Sequence, residues 1–140
     1  MIEEGTQKMQ ISQKIKDERQ EVLIEEFLRE KAAVLARAGF AVEDAIEKLL
    51  RIEKEIEEKK SLLNLSGSSN TDLVNTRNRQ LICDEINIII EKFNSFHKKA
   101  ETQYYYLIVT REALGLRRHE MIQKMYRIPD RKKKYELGNG

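Results

Sequence analysis

Apolar residues recur at alternating steps of four and three along the first half of the chain, beginning at Ile24. The members that repeat every seven residues are all apolar: Leu28, Leu35, Val42, Leu49, Ile56 and Leu63. An apolar repeat held at about 3.5 residues is typical of an α-helix that packs lengthwise against another helix. The chain has one proline, Pro129, so long stretches are free of the strongest helix breaker. This pattern predicts an all-α fold.

A second series with the same spacing runs from Ile82 to Leu114, and a loop rich in serine separates the two series. We therefore expect a single domain, a long antiparallel helical hairpin that is coiled-coil-like and carries a short C-terminal helix. Its predicted elements are a first helix at about 10–64, a loop at 65–70, a second helix at 70–114, a short helix at 117–126 and a flexible basic tail at 130–140. Gly115 is expected to end the second helix, because glycine commonly follows the last helical turn.

Gly39 lies inside the first predicted helix, where it could end one helix or sit within a continuous helix that bends there. The apolar series keeps its phase across Gly39, and a glycine inside a helix costs only about 1 kcal/mol, so we favour a continuous helix. Folding the chain about the loop pairs residues whose numbers add up to about 135, so that Val42 faces Phe93. This register would place Gly39 opposite Phe93 and Phe96.

Residues 104–109, in the second predicted helix, are all apolar or aromatic. Because successive helical residues are about 100° apart, this stretch surrounds the helix with apolar surface that a two-helix seam cannot cover. The alternative interpretation is a β-strand at 103–110, since Tyr, Ile and Val also suit sheets. On the helical interpretation we expect self-association into a homodimer that completes a four-helix arrangement. The candidate interaction surface comprises Tyr104, Tyr105, Tyr106, Ile108 and Val109.

Side chains capable of chemistry are few, and their spacing does not fit a catalytic or metal site. Neither histidine follows a glutamate by three residues, as the helical di-iron motif requires. His97 and Glu101 could share a metal ion, but a surface pair is the simpler interpretation. Cys83 is expected to be a buried structural thiol, because no histidine neighbours it in sequence and Asp84 and Glu85 disfavour the thiolate. We therefore predict a protein that is not an enzyme and has no catalytic residue, cofactor or metal.

Charge is distributed unevenly along the chain. Residues 1–96 carry a net charge of −4, whereas residues 97–140 carry a net charge of +6. Clustered cations attract phosphate and tyrosines can stack on bases, so a small nucleic-acid-binding accessory protein is the alternative to the favoured function, a self-associating structural or protein-interaction module. Interspersed carboxylates weaken this signal. The candidate anion-binding patch comprises Arg117, Arg118, Arg127, Arg131, Lys132, Lys133 and Lys134.

The chain has one cysteine, and its acidic first residues lack the apolar core of a secretory signal. Its longest uninterrupted apolar run has six residues, whereas a membrane-spanning helix needs about 20. We expect a cytoplasmic protein without a membrane segment.

Two stretches of the sequence, residues 26–39 and 105–129, together carry a resemblance to known proteins. The second stretch contains the run Arg-Glu-Ala-Leu-Gly-Leu-Arg at 111–117 and Tyr-Arg-Ile-Pro at 126–129. Together they resemble a group of short, uncharacterised bacterial helical proteins. The resemblance implies a bacterial origin and a helical fold, and it implies no activity.

Overall fold

The computed structural model of the protein describes the backbone of residues 2–66 and 73–138 and the side chains of residues 5–65 and 76–138. These ranges contain no β-strand and three α-helices: α1 spans Ile2–Ser66, α2 spans Leu73–Ala113 and α3 spans Glu120–Met125. The predicted all-α fold is confirmed, and residues 103–110 are helical rather than a strand. α1 begins earlier than predicted, and α3 is shorter than predicted. Most of the loop predicted at 65–70 lies outside the described residues.

α2 ends in the turn that its sequence predicts. Gly115 has a φ of +88°, a left-handed conformation that glycine adopts without steric penalty. The Leu116 amide donates to the Arg111 carbonyl at 2.8 Å, and the Gly115 amide donates to the Glu112 carbonyl at 3.0 Å. This pair of hydrogen bonds is a Schellman motif, which satisfies carbonyl groups at the C-terminus of a helix. Gly115 therefore ends α2 as expected.

Gly39 lies within α1, so the preferred interpretation of one continuous helix is confirmed. A Cβ atom at this position would lie 3.2 Å from the Tyr126 hydroxyl, closer than an ordinary van der Waals contact. The same hydroxyl donates a hydrogen bond to Glu43 Oε1 at 3.3 Å. The side chain that uses the space at Gly39 is therefore Tyr126, immediately after α3, rather than the predicted Phe93 or Phe96.

The chain divides into two compact units, Met1–Arg37 and Ala38–Gly140. The described part of the N-terminal unit is one helical segment, and each of its residues from 5 to 30 is exposed. A single helix cannot bury its own apolar side chains, so the described residues of this unit form no hydrophobic core by themselves.

In the C-terminal unit, residues 38–66 of α1 pack along α2. The buried cluster consists of Leu49, Ile52, Ile56, Leu63, Ile86, Ile90, Phe93 and Ala100. Members of the predicted apolar series are buried from Val42 onward, whereas the earlier member Leu28 is 55% exposed. The heptad pattern therefore predicts the core correctly within this unit.

The two helices pack in a register that differs from the predicted one. Lys59 Nζ lies 2.9 Å from Glu85 Oε2, whereas the predicted register would bring Lys59 to residue 76. The predicted contact of Val42 with Phe93 is therefore wrong: both are buried, but Val42 does not belong to the cluster around Phe93. At this ion pair the two registers differ by nine residues, a little more than one heptad. A slip of about seven residues again sets apolar positions against apolar positions, so the repeat determines phase but not register.

The segment that follows α3 has no helix or strand, and it packs against the buried cluster through Ile128, Tyr135 and Leu137. We call residues 128–137 the C-terminal strap. The prediction of a flexible, solvated tail is wrong for this segment, because apolar side chains interspersed among its charges give it a buried side.

Candidate interaction surfaces

An extensive apolar surface lies on the helix of the N-terminal unit. Eight large apolar side chains between residues 9 and 28 are 44–76% exposed. Exposed apolar surface of this extent is typical of sites where proteins bind one another. We call it the N-terminal apolar surface, and it comprises Met9, Ile11, Ile15, Val22, Leu23, Ile24, Phe27 and Leu28.

The interaction surface predicted on α2 is partly exposed. Tyr105, Tyr106 and Val109 are exposed, whereas Tyr104 and Ile108 are half-buried. The rings of Tyr105 and Tyr106 have centroids 6.2 Å apart and are tilted by 52° to one another, a favourable geometry for an aromatic pair. Three of the five predicted residues therefore present apolar surface to solvent.

Six residues of the predicted anion-binding patch are exposed: Arg117, Arg118, Arg127, Arg131, Lys133 and Lys134. Lys132 is the exception. Its Nζ lies 3.2 Å from Glu53 Oε2 and 4.9 Å from the centroid of the Phe93 ring. An ion pair and a cation–π contact together occupy this ammonium group. Lys132 therefore belongs to the packing of the strap and not to the patch.

Two asparagines of α2 hold the backbone of the strap. Asn94 Nδ2 donates to the Lys132 carbonyl at 2.9 Å, and Asn94 Oδ1 accepts the Lys132 amide at 2.9 Å. Asn87 makes the same pair of hydrogen bonds with Tyr135, at 3.0 Å and 2.7 Å. A carboxamide carries the same kinds of donor and acceptor as a peptide group. Each asparagine therefore makes the two backbone hydrogen bonds that a neighbouring β-strand would make.

The spacing of these asparagines matches the spacing of their partners. Asn87 and Asn94 are seven residues apart on α2, which corresponds to about 10.5 Å along the helix axis. Lys132 and Tyr135 are three residues apart, which corresponds to about 10 Å in an extended chain. The strap is therefore extended, and it runs antiparallel to α2 because the later strap residue meets the earlier asparagine.

Cys83 lies under the strap, next to Asn87. Its Sγ is 3.6 Å from the Tyr135 carbonyl oxygen and 3.8 Å from Asn87 Nδ2, and the residue is 4% exposed. The prediction of a buried thiol is confirmed. Lys60 Nζ lies 5.2 Å from the centroid of the Tyr135 ring, a distance at which a cation attracts an aromatic ring.

His97 is buried, so its interpretation as part of a surface pair is wrong. Its Nδ1 lies 2.7 Å from Glu101 Oε1, and Glu101 itself is exposed. The second histidine, His119, lies 3.1 Å from Glu112 Oε1 and accepts a hydrogen bond from Arg111 Nε at 3.3 Å. Within residues 5–65 and 76–138, no three side chains of His, Cys, Asp or Glu are grouped closely enough to hold a metal ion.

Among the described residues, Tyr126 has a side chain whose pKa is clearly shifted by its environment. Burial raises the pKa of its hydroxyl above the ordinary value of 10.0. The charge of Glu43, and the hydrogen bond that Glu43 accepts from the hydroxyl, raise that pKa further. The neutral phenol is therefore the form that packs beside Gly39.

No protein-family model, curated protein or solved structure matches this chain significantly. In the described parts of α1, α2 and α3, no stretch combines the length and the apolar character that crossing a bilayer requires.

Proposed function

We propose that this protein is a non-enzymatic interaction module that forms a homodimer through its N-terminal apolar surface. The observation that carries the proposal is the 44–76% exposure of the eight side chains in that surface. Each large apolar side chain left in water forgoes about 1.5–3 kcal/mol of burial free energy. Covering even half of these side chains across a symmetric interface would supply a strong driving force for association.

A second copy is the favoured partner because the charges of this helix complement one another. Residues 8–19 carry four cations and two carboxylates, whereas residues 20–30 carry four carboxylates and one arginine. Antiparallel pairing would set the basic half of one helix against the acidic half of the other. Parallel pairing would set like charges together. We therefore infer an antiparallel dimer with two-fold symmetry.

The antiparallel arrangement also suits the apolar residues. Ile11, Ile15, Leu23 and Phe27 lie within about 160° of one another around the helix axis. Centring the two-fold axis on Arg19 brings Ile11 against Phe27 of the second copy and Ile15 against Leu23. In this register, large apolar side chains meet on both sides of the axis, and the two copies of Arg19 lie next to each other at the axis itself.

Analytical ultracentrifugation of the full chain tests the dimer. Wild type is expected to sediment as a dimer at micromolar concentration, and Leu23→Glu should weaken the dimer at least about tenfold by placing charges in the interface. Leu28→Glu is the matched control: Leu28 belongs to the same apolar surface and is similarly exposed, but it lies on the opposite side of the helix from the face that contacts the second copy in this register. A wild-type chain that stays monomeric at millimolar concentration would refute the proposal.

Cysteine cross-linking tests the direction of pairing. In the antiparallel register, Lys8 of one copy faces Glu30 of the other. Oxidising a mixture of Lys8→Cys and Glu30→Cys chains is expected to give a mixed disulfide, and Cys83 does not compete because it is buried. Cross-linking of Lys8→Cys chains with one another would contradict the antiparallel arrangement.

The six exposed cations of the anion-binding patch support an alternative function, a small nucleic-acid-binding accessory protein. Phosphate binding through such side chains weakens steeply with salt. A gel-shift titration at two salt concentrations would detect it, and the double variant Lys133→Gln/Lys134→Gln should reduce it. Lys132 stays unchanged in this experiment because its side chain holds the strap. Salt-sensitive binding by a chain that remains monomeric would favour the alternative.

A further inference from the structure

The groove between α1 and α2 recognises the backbone of the segment that lies in it. Asn87 and Asn94 contact the backbone N–H and C=O of one strap residue each, over distances of 2.7–3.0 Å. Every residue except proline carries these two groups. The asparagines therefore select an extended chain and are indifferent to the side chains at the two positions they hold.

The same groove also recognises two side chains. The Lys132 ammonium lies between the Glu53 carboxylate and the face of the Phe93 ring. Three residues later, Tyr135 packs on the buried cluster beneath the Lys60 ammonium. The chemistry that the groove accepts is thus a cation followed, after two residues, by an aromatic ring.

We propose that this groove is a binding site for extended peptides that carry a basic residue three positions before an aromatic one, with the strap as its tethered occupant. Charge complementarity between Glu53 and the incoming cation favours a basic peptide over other partners. The mode resembles strand addition, in which backbone hydrogen bonds give affinity and side-chain pockets give specificity.

A free peptide competes with the strap under defined conditions. The strap has no helix or strand of its own, and its polar contacts with the groove can be made by any chain of the same chemistry. Its covalent link gives it an effective concentration of about millimolar order. A partner therefore displaces it when the contacts of the strap are weakened or when the partner binds more tightly than the strap.

The test uses the full chain and a labelled synthetic peptide that copies residues 127–138. Lys132→Glu places a carboxylate next to Glu53, which should loosen the strap and leave the groove intact. Lys133→Glu makes the same charge change at the exposed neighbouring residue and is the matched control. Fluorescence anisotropy should report peptide binding at least about tenfold tighter for the Lys132→Glu chain than for the control.

Two further measurements tie the binding to this groove. Adding Asn94→Ala to the Lys132→Glu chain should weaken peptide binding about tenfold, because two hydrogen bonds to the backbone are lost. Cys83 lies under the strap, so it should react faster with a thiol reagent in the Lys132→Glu chain than in the control. Saturating peptide should slow that reaction again.

Three results would overturn the proposal: no binding to the Lys132→Glu chain at millimolar peptide, binding that Asn94→Ala leaves unchanged, or a Cys83 reaction rate that the peptide does not alter. A peptide with glutamate in place of the lysine that corresponds to Lys132 should bind at least about tenfold more weakly. If Lys132→Glu loses its helical circular dichroism, the same measurements are made on Tyr135→Ala, which loosens the strap through a different contact. The same outcomes then support or overturn the proposal.

Discussion

Replacing Asn94 by aspartate should make the docking of the strap depend on pH. Asn94 exchanges two hydrogen bonds with the backbone of Lys132, both at 2.9 Å. An ionised aspartate keeps the acceptor for the Lys132 amide, but it turns a second oxygen toward the Lys132 carbonyl with no proton between them. Losing one hydrogen bond and leaving a part-buried carbonyl unpaired should lower the free energy of unfolding by about 1–3 kcal/mol at neutral pH.

Protonation of the new carboxyl restores the missing donor. A neutral aspartic acid offers one O–H donor and one C=O acceptor, as asparagine does. The folded state therefore favours the protonated form, which raises the folded-state pKa above the unfolded value of about 3.9. Such a group stabilises the fold below its unfolded pKa and loses that contribution as pH rises through the folded pKa. The defect should thus be complete at neutral pH and shrink toward about pH 4.

Urea unfolding followed by circular dichroism measures this effect on wild type, Asn94→Asp and Asn94→Ala at the same pH values. Asn94→Ala lacks both hydrogen bonds at every pH, so its deficit of about 1–3 kcal/mol should not narrow in acid. Effects of pH that are common to the three chains cancel when each variant is compared with wild type at the same pH. Equal stability of Asn94→Asp and wild type at neutral pH, or a defect that persists unchanged in acid, would refute the assigned hydrogen bonds.

Other contacts lead to three further predictions. Phe93→Ala removes a fully buried ring and should lower the free energy of unfolding by about 3–5 kcal/mol in denaturant titrations. Gly39→Ala should raise the free energy of unfolding by about 1 kcal/mol through helix propensity. Part of this gain should be lost because the methyl group would lie 3.2 Å from the Tyr126 hydroxyl, and adding Tyr126→Phe should recover the lost part. Spectrophotometric titration should reveal a phenol with a pKa above the ordinary value of 10.0, and this phenol should be absent from Tyr126→Phe. The contribution of the neutral Tyr126 hydroxyl to the stability of the fold should fall as pH rises through that raised pKa.

Sequence predicts this fold well wherever a local rule decides the structure. The end of α2 depends on the left-handed conformation of Gly115, which a glycine after an apolar helix favours. The continuity of α1 follows from the phase of the apolar series on either side of Gly39. Sequence does not show why a glycine stands there, because the Tyr126 side chain that approaches it is far away along the chain.

The register and the strap depend on features that leave little trace in sequence. A slip of about one heptad preserves the apolar pattern, so the pairing of Lys59 with Glu85 cannot be read from the repeat. The strap is held by Asn87 and Asn94, whose partners are backbone groups that nearly every residue carries. Two features of the sequence are consistent with the strap. Two asparagines lie seven residues apart on α2, and the segment predicted to be a tail has apolar residues among its charges.

The predicted lengths of the two long helices do not indicate that the N-terminal apolar surface is left uncovered by α2. The predicted helices at 10–64 and 70–114 differ by only ten residues in length, whereas α1 exceeds α2 by 24 residues. At least that many residues of α1 cannot be matched one for one by α2. The tyrosine-rich run at 104–109 predicts an interaction site because its apolar residues are consecutive. Some residues of the N-terminal apolar surface, such as Ile11 and Ile15, have polar or charged residues on both sides, and this surface contains no apolar run as long as 104–109.

The proposed dimer and the proposed peptide groove use different residues, so they should be separable by experiment. The dimer would use residues 8–30 of the N-terminal unit, whereas the groove and strap belong wholly to the C-terminal unit. Leu23→Glu should therefore dissociate the dimer while Cys83 stays as slow to react as in wild type. Lys132→Glu should speed the reaction of Cys83 while the sedimenting mass stays that of a dimer. If either substitution changed both measurements, the two surfaces would be energetically coupled, and the assignment of separate roles to the two units would fail.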